Sequence, residues 1–217
     1  MLNGIRAIIF DFDGVLVDSE PLHEWAIRES VRARGWDFTR ERFYAEIVGK
    51  GDENAYRRIA AWHDTPMDDA AIRAMLETKW GLMGEGIAAG KFTIQPGAGE
   101  AVRAAKARGL AAVCSSSVRS SVDAMLRRIE LREALDALVC GDDVPRIKPA
   151  PDGYLLTAKT LGVRPDECLV IEDTPTGVKA AKAAGMRVVG VCHTVGREAL
   201  READEVVDRI AELRLTP

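Results

Sequence analysis

Five short apolar runs punctuate the chain, at residues 6–10, 110–114, 137–140, 169–171 and 187–191. Each is unbroken rather than alternating, which is the pattern of strands covered by helices on both faces. Between the later runs, apolar positions recur at helical spacing over residues 99–107, 118–128, 152–161 and 176–184. Gly109, Gly162 and Gly185 follow three of these patterns as stop signals. Strand and helix in alternation predict an α/β fold built on a doubly wound parallel-sheet, Rossmann-like core.

One interval breaks the rhythm. Residues 19–90 hold no strand-like run, only amphipathic stretches at 20–34, 40–48, 52–63 and 67–84. In the first, Leu22, Trp25, Ala26 and Val31 share a face, with Arg28, Glu29 and Arg32 elsewhere. The pattern predicts an α-helical domain (19–90) inserted into a core formed by residues 1–18 and 91–217, with linkers near 17–20 and in the glycine-rich stretch 84–96. Trp25, Trp36, Trp62 and Trp80 all fall in the insert and are expected to pack its core rather than form a binding cage.

Composition narrows the function. The 217 residues suit one domain with a modest insert, and 47% apolar with 29% charged residues is a globular balance. Thirty Lys plus Arg against 34 Asp plus Glu leave a net charge of −4, which argues against a nucleic acid partner. No apolar run approaches the roughly 20 residues of a membrane helix, so no membrane partner is expected. Residues 1–6 lack a signal-peptide pattern. Cys114, Cys140, Cys168 and Cys192 have no C-x-x-C spacing and read as buried thiols in a reducing, cytoplasmic setting. A monomer or weak homodimer is the expected state.

The candidate chemistry sits just past the strands. After Phe10 comes Asp11-Phe12-Asp13-Gly14, and after Cys114 come Ser115, Ser116 and Ser117. The run ending at Cys140 leads into a loop carrying Lys148, and the run ending at Ile171 leads to Glu172-Asp173. Parallel sheets bind ligands at the carboxyl ends of their strands, so these segments are expected to converge. Two carboxylates near 4 Å repel by about 4 kcal/mol at an effective dielectric of about 20, against a total domain stability of about 5–15 kcal/mol. Acids gathered around one lysine therefore call for a counter-ion or for protonation. Hard oxygen ligands without His or Cys suit Mg2+, and Mg2+ points to a phosphate ester.

On this reading Asp11 is the candidate nucleophile, since a carboxylate ionised at neutral pH needs no base to attack phosphorus. Asp13, two residues on, is the candidate acid/base. Gly14 permits a tight turn. Ser115, Ser116 and Lys148 are the candidate phosphate-binding residues. Taken singly, each feature has a plainer reading: Asp-x-Asp-Gly as a turn, Ser115 as a helix cap, Lys148 as a solvated loop residue, Glu172-Asp173 as partners of a helix dipole. Gly97-Ala98-Gly99 opens a helix, but Val102 breaks the dinucleotide fingerprint. No G-x-S-x-G elbow surrounds Ser115, and His63 and His193 lack metal-ligand spacing.

The four segments, in this order, resemble the motifs of a haloacid dehalogenase (HAD) superfamily phosphatase. They are residues 11–20, 114–117, 148–152 and 170–177. The resemblance spans nearly the whole chain and implies an inserted helical cap at residues 19–90. It also implies that the carboxylates of Asp11 and Asp173 and the carbonyl of Asp13 hold Mg2+, supported by Glu172 directly or through water. An acid at position 13 argues against the dehalogenase branch. The nearest subgroup resembles β-phosphoglucomutase and sugar-phosphate phosphatases, and the position of His23 matches a mutase residue that couples cap closure to the acid/base. A mutase cap also carries an arginine for a second phosphate; Asp52 stands at that position, with Lys50 nearby. Lys79 is a further candidate substrate contact, or else a solvated lysine. The expected partner is a small phosphorylated metabolite, and the expected activity a phosphatase working through an aspartyl-phosphate. A phosphomutase and a phospho-receiver signalling domain are the alternatives.

Overall fold

The computed structural model describes residues 2–48 and 51–215. In chain order its elements are β1 (Ala7–Phe10), β2 (Val17–Asp18), α1 (Glu20–Arg32), α2 (Arg40–Glu46), α3 (Asp52–Trp62), α4 (Asp69–Ala88), β3 (Thr93–Ile94) and α5 (Ala98–Arg108). There follow β4 (Leu110–Cys114), α6 (Arg119–Arg128), β5 (Ala137–Val139), α7 (Asp152–Leu161), β6 (Cys168–Glu172), α8 (Pro175–Ala183), β7 (Arg187–Val191) and β8 (Glu205–Val207). The chain divides into two compact units. One holds the residues up to Asp18 together with those from Ile94 onward; the other is Ser19–Thr93.

The first unit is built on a six-stranded sheet in the order β5-β4-β1-β6-β7-β8. Its ladders are parallel, and Phe10 stands level with Val113 on one side and Ile171 on the other. The unbroken apolar runs are buried apart from their leading residues Arg6, Leu110 and Arg187. Ile9, Ala112, Val170 and Val188 form one core cluster with Tyr154, Ala158, Val178 and Ala181 from α7 and α8. Each buried Ile or Val contributes about 1.5–3 kcal/mol, so aliphatic packing carries this core. Strand order reverses at β1, because β4 and β5 lie on one side of it and β6 to β8 on the other. The residues leaving β1, β4 and β6 therefore emerge beside one another at the sheet's carboxyl edge.

The helical unit closes around Ile27, Val31, Phe43, Tyr56, Ile59, Ile72 and Leu76. The Tyr56 hydroxyl lies 2.7 Å from Ser30 Oγ inside this cluster. Thr39 Oγ1 accepts from Arg42 N, and Asp68 Oδ1 from Ala71 N, which caps α2 and α4.

Two sequence expectations are corrected, and one element was missed. The stretch expected to be a linker from residue 84 is helical through Ala88, with Gly84 and Gly86 inside α4. A Cβ at Gly86 would overlap Leu22 and Trp25, so glycine there lets α1 and α4 approach, at a helix-propensity cost of about 1 kcal/mol. The tryptophans pack the insert's core only in part: Trp36 and Trp62 are half-buried against it, Trp25 is half-buried beside Gly86, and Trp80 is 60% exposed. The short edge strand β8 was not foreseen, because three half-exposed residues carry no strand-like run.

Candidate active site

Asp11 is the first residue past β1, and its N–H donates to Ile171 O at 2.9 Å, continuing the β1–β6 ladder by one residue. Its side chain is buried and pairs with the Lys148 ammonium. Lys148 also donates to Glu172 Oε1 at 2.7 Å and to Cys114 O at 3.0 Å, and its ammonium lies 4.9 Å from the centre of the Tyr154 ring. One lysine from the loop after β5 thus ties together the ends of β1, β4 and β6. The Lys148–Pro149 peptide is cis.

Glu172 is fully buried and its oxygens are occupied. Oε1 accepts from Lys148 and from Tyr154 OH at 3.0 Å, and Oε2 accepts from Asp173 N, Thr174 N and Thr174 Oγ1 at 2.9, 3.0 and 3.1 Å. Thr174 caps α8 by accepting from Gly177 N, and a Cβ at Gly177 would overlap the Glu172 carboxylate. Asp173 is also fully buried. Its Oδ2 accepts from Thr194 Oγ1, while its Oδ1 is buried with no hydrogen-bond partner. An oxygen from each of Asp11, Glu172 and Asp173 lies within 4.8 Å of the others.

Asp13 points its Oδ2 at two hydroxyls, Ser117 Oγ at 2.7 Å and Ser115 Oγ at 3.3 Å. Ser117 N also donates to Ser115 Oγ at 2.9 Å. This local turn brings Ser117 to the acid and leaves the Ser116 side chain exposed. Ser117, rather than Ser116, is therefore the second hydroxyl beside Asp13. Gly14 has φ +81°, and its N–H donates to Val17 O at 2.6 Å, which makes the turn after Asp13.

Electrostatics follow from burial. Burial pushes the Asp11 carboxyl well above its ordinary range, Lys148 pulls it down, and Glu172, Asp173 and Asp13 push it up again. Asp173 is raised to about 7, by burial first and by Glu172 next. Burial acts to lower the Lys148 ammonium, but Asp11 and Glu172 outweigh it and hold it well above its usual value. A single ammonium does not neutralise this set of acids. The bare Asp173 Oδ1, the hard oxygen donors and the uncompensated negative charge all fit a divalent cation such as Mg2+.

The insert's candidates assemble within the helical unit. Lys79, allowed for above as a solvated lysine, is 1% exposed. Its ammonium lies 2.9 Å from His23 Nδ1 and 2.5 Å from Asp52 Oδ1. Burial lowers the Lys79 ammonium, and Asp52 partly offsets this. Lys50 lies outside the described residues. Sequence reasoning missed Tyr154, Ser117 and Thr194. A third serine in the run after β4 was the only hint of Ser117; the contacts of Tyr154 and Thr194 exist only in space.

Comparison with known proteins identifies relatives across most of the chain. The profile of one family, haloacid dehalogenase-like hydrolase, matches residues 5–185. Protein CbbY of Rhodobacter capsulatus is 34% identical over 191 residues, covering 85% of this chain and 84% of its own. The phosphorylated carbohydrates phosphatase of Thermotoga maritima is 34% identical over 209 residues, covering 93% of each chain. Among solved structures, an Asp-to-Asn mutant of CbbY from Rhodobacter sphaeroides in complex with xylulose-(1,5)bisphosphate superposes with TM-score 0.80 at 30% identity. It covers 97% of this chain and 96% of that one.

Proposed function

Because the chain belongs to the haloacid dehalogenase-like hydrolase family, we propose that it is a Mg2+-dependent phosphatase of small phosphorylated sugars or polyols, acting through an aspartyl-phosphate on Asp11. One observation carries this reading: Asp11 is held at a strand end, paired with the Lys148 ammonium, and one of its oxygens lies within 4.8 Å of an oxygen of Asp173, whose Oδ1 is buried and bare. The names of the relatives support the substrate class, since they include a phosphorylated carbohydrates phosphatase and a fructose-1-phosphate phosphatase.

The cation would be held by the carboxylates of Asp11 and Asp173 and the backbone carbonyl of Asp13. When bound, it supplies charge neutralisation for the incoming phosphoryl oxygens. Lys148 adds fixed positive charge beside Asp11. Glu172, with both oxygens occupied, holds Lys148 in place and supports the metal site indirectly. A carboxylate oxygen of Asp11 attacks phosphorus. Asp13, positioned by the hydroxyls of Ser115 and Ser117, gives a proton to the leaving alkoxide and then takes one from the water that opens the acyl-phosphate. Ser115 donates to the phosphoryl oxygens.

Hydrolysis is favoured over phosphoryl transfer to a second sugar position. At the insert position where a mutase carries arginine stands Asp52, paired with Lys79. The helical unit is read as a cap that selects substrate, with His23, Lys79 and Lys50 as its candidate contacts. Among the described residues no helix is long and apolar enough to cross a membrane, and a cytoplasmic site of action agrees with four free cysteines.

Asp11→Asn, assayed with p-nitrophenyl phosphate and Mg2+, is expected to lose about 10⁴-fold or more in kcat, as removal of a nucleophile does. Turnover retained in that variant would remove the aspartyl-phosphate from the mechanism.

A further inference from the structure

The strand-end chemistry leaves His193 unused. It lies half-buried in the loop after β7, with both ring nitrogens engaged. Nδ1 is 2.7 Å from Gly14 O, and Nε2 is 3.2 Å from the N–H of Ile210, itself a buried residue. A carbonyl only accepts and a backbone N–H only donates. Nδ1 must therefore carry the proton and Nε2 must accept, so one neutral tautomer satisfies both bonds.

The residue after it, Thr194, donates to Asp173 Oδ2 and leaves Oδ1 unpartnered. The turn that His193 grips has no slack. Gly14 holds φ +81°, and a Cβ there would overlap the Asp173 carboxylate and the Thr194 hydroxyl. One loop thus touches both strand-end segments read above as cation ligands: the turn that follows Asp13, and Asp173.

We propose that His193 is a positioning residue for the cation site. Its Nδ1–H fixes the Gly14 carbonyl, and with it the Asp13–Gly14 turn, at the right separation from Asp173, while Thr194 orients the Asp173 carboxylate. The bond from Ile210 locks the tautomer and links the site to the segment beyond β8. This inference rests on the reading of Asp11, Asp13 and Asp173 as a Mg2+ site. Partners of that kind, one step removed from the metal, set ligand orientation and so affinity.

The test is isothermal titration calorimetry of Mg2+ into wild type, His193→Phe, His193→Asn and Thr194→Val, with Tm measured for each without metal. Phe keeps the ring and loses both hydrogen bonds; Asn keeps an amide donor where Nδ1 stands. His193→Phe and Thr194→Val are expected to bind Mg2+ about 10-fold more weakly, and His193→Asn close to wild type. The proposal is overturned if His193→Phe binds as tightly as wild type, or if His193→Asn is as weak as His193→Phe. Should His193→Phe not fold, wild-type affinity in Thr194→Val or a tenfold loss in His193→Asn overturns it. Wild-type protein that binds no Mg2+ would instead remove the cation site itself, a result distinct from unequal variants.

Discussion

Lys148 sets the charge balance of the site. Its side chain and that of Asp11 are each 10% exposed, and that of Glu172 is 0% exposed. Buried pairs contribute little net stability, but removing one partner strands the other charge at a cost of about 3–5 kcal/mol. Lys148→Met is therefore expected to abolish turnover and to lower the unfolding free energy by about that amount without metal. Denaturant melts with and without Mg2+ check this, and the added cation is expected to restore part of the loss. The convergence of Asp11, Asp13 and Lys148 was legible in the sequence because each follows the end of an apolar run. Ser117 was not. Serines 115 to 117 are alike as letters, and only the turn closed on Ser115 Oγ decides which hydroxyl reaches Asp13.

At the scale of elements, a partly exposed carboxylate also knits the sheet away from the chemistry. Asp136 lies just before β5. Its Oδ2 accepts from Ala111 N at 3.0 Å and its Oδ1 from Lys106 Nζ at 2.5 Å, joining β5 to β4 and α5. Burial acts to raise this carboxyl, but the Lys106 and Ala111 bonds outweigh it and hold it below its ordinary value. As pH falls, the unfolded chain takes up this proton first. The contribution is complete above the ordinary carboxylate range of about 4 and is lost as pH drops through the depressed folded value. Asp136→Asn is thus expected to cost about 1 kcal/mol at pH 7, discounted for partial exposure. That difference from wild type should shrink in urea melts as pH falls below the ordinary carboxylate range. Elements were readable where their period was long or their run unbroken, as in β1, β4, β6 and β7. Glycine misled at Gly86, where it serves close packing against Leu22 and Trp25 rather than a break, and β8 was too short to register.

For the whole molecule, a cation that binds only the folded state shifts unfolding by mass action. At a concentration a hundredfold above Kd the gain is about 2.7 kcal/mol, equivalent to about 5–10 °C in Tm for a chain of this size. Scanning calorimetry with Mg2+ against EDTA is expected to show such a rise, and Asp173→Asn to erase it. The α/β class and the order of the strand-end segments followed from the alternation of runs and helices. The links through Tyr154, His193 and Thr194 did not, because they join residues far apart in sequence and leave no local pattern.

The sheet also shields its sulfur. Burial pushes the thiols of Cys114, Cys140 and Cys168 up to about 11, 12 and 11, so at neutral pH almost none of each is the reactive thiolate. Cys192 is only half-buried. Brief treatment of native protein with iodoacetamide at pH 7.5 should therefore add one carbamidomethyl group by mass spectrometry, at Cys192, and four once the chain is opened in urea. A probe attached at that position would sit next to the histidine that grips the Asp13–Gly14 turn, and its emission would follow that turn as Mg2+ is added.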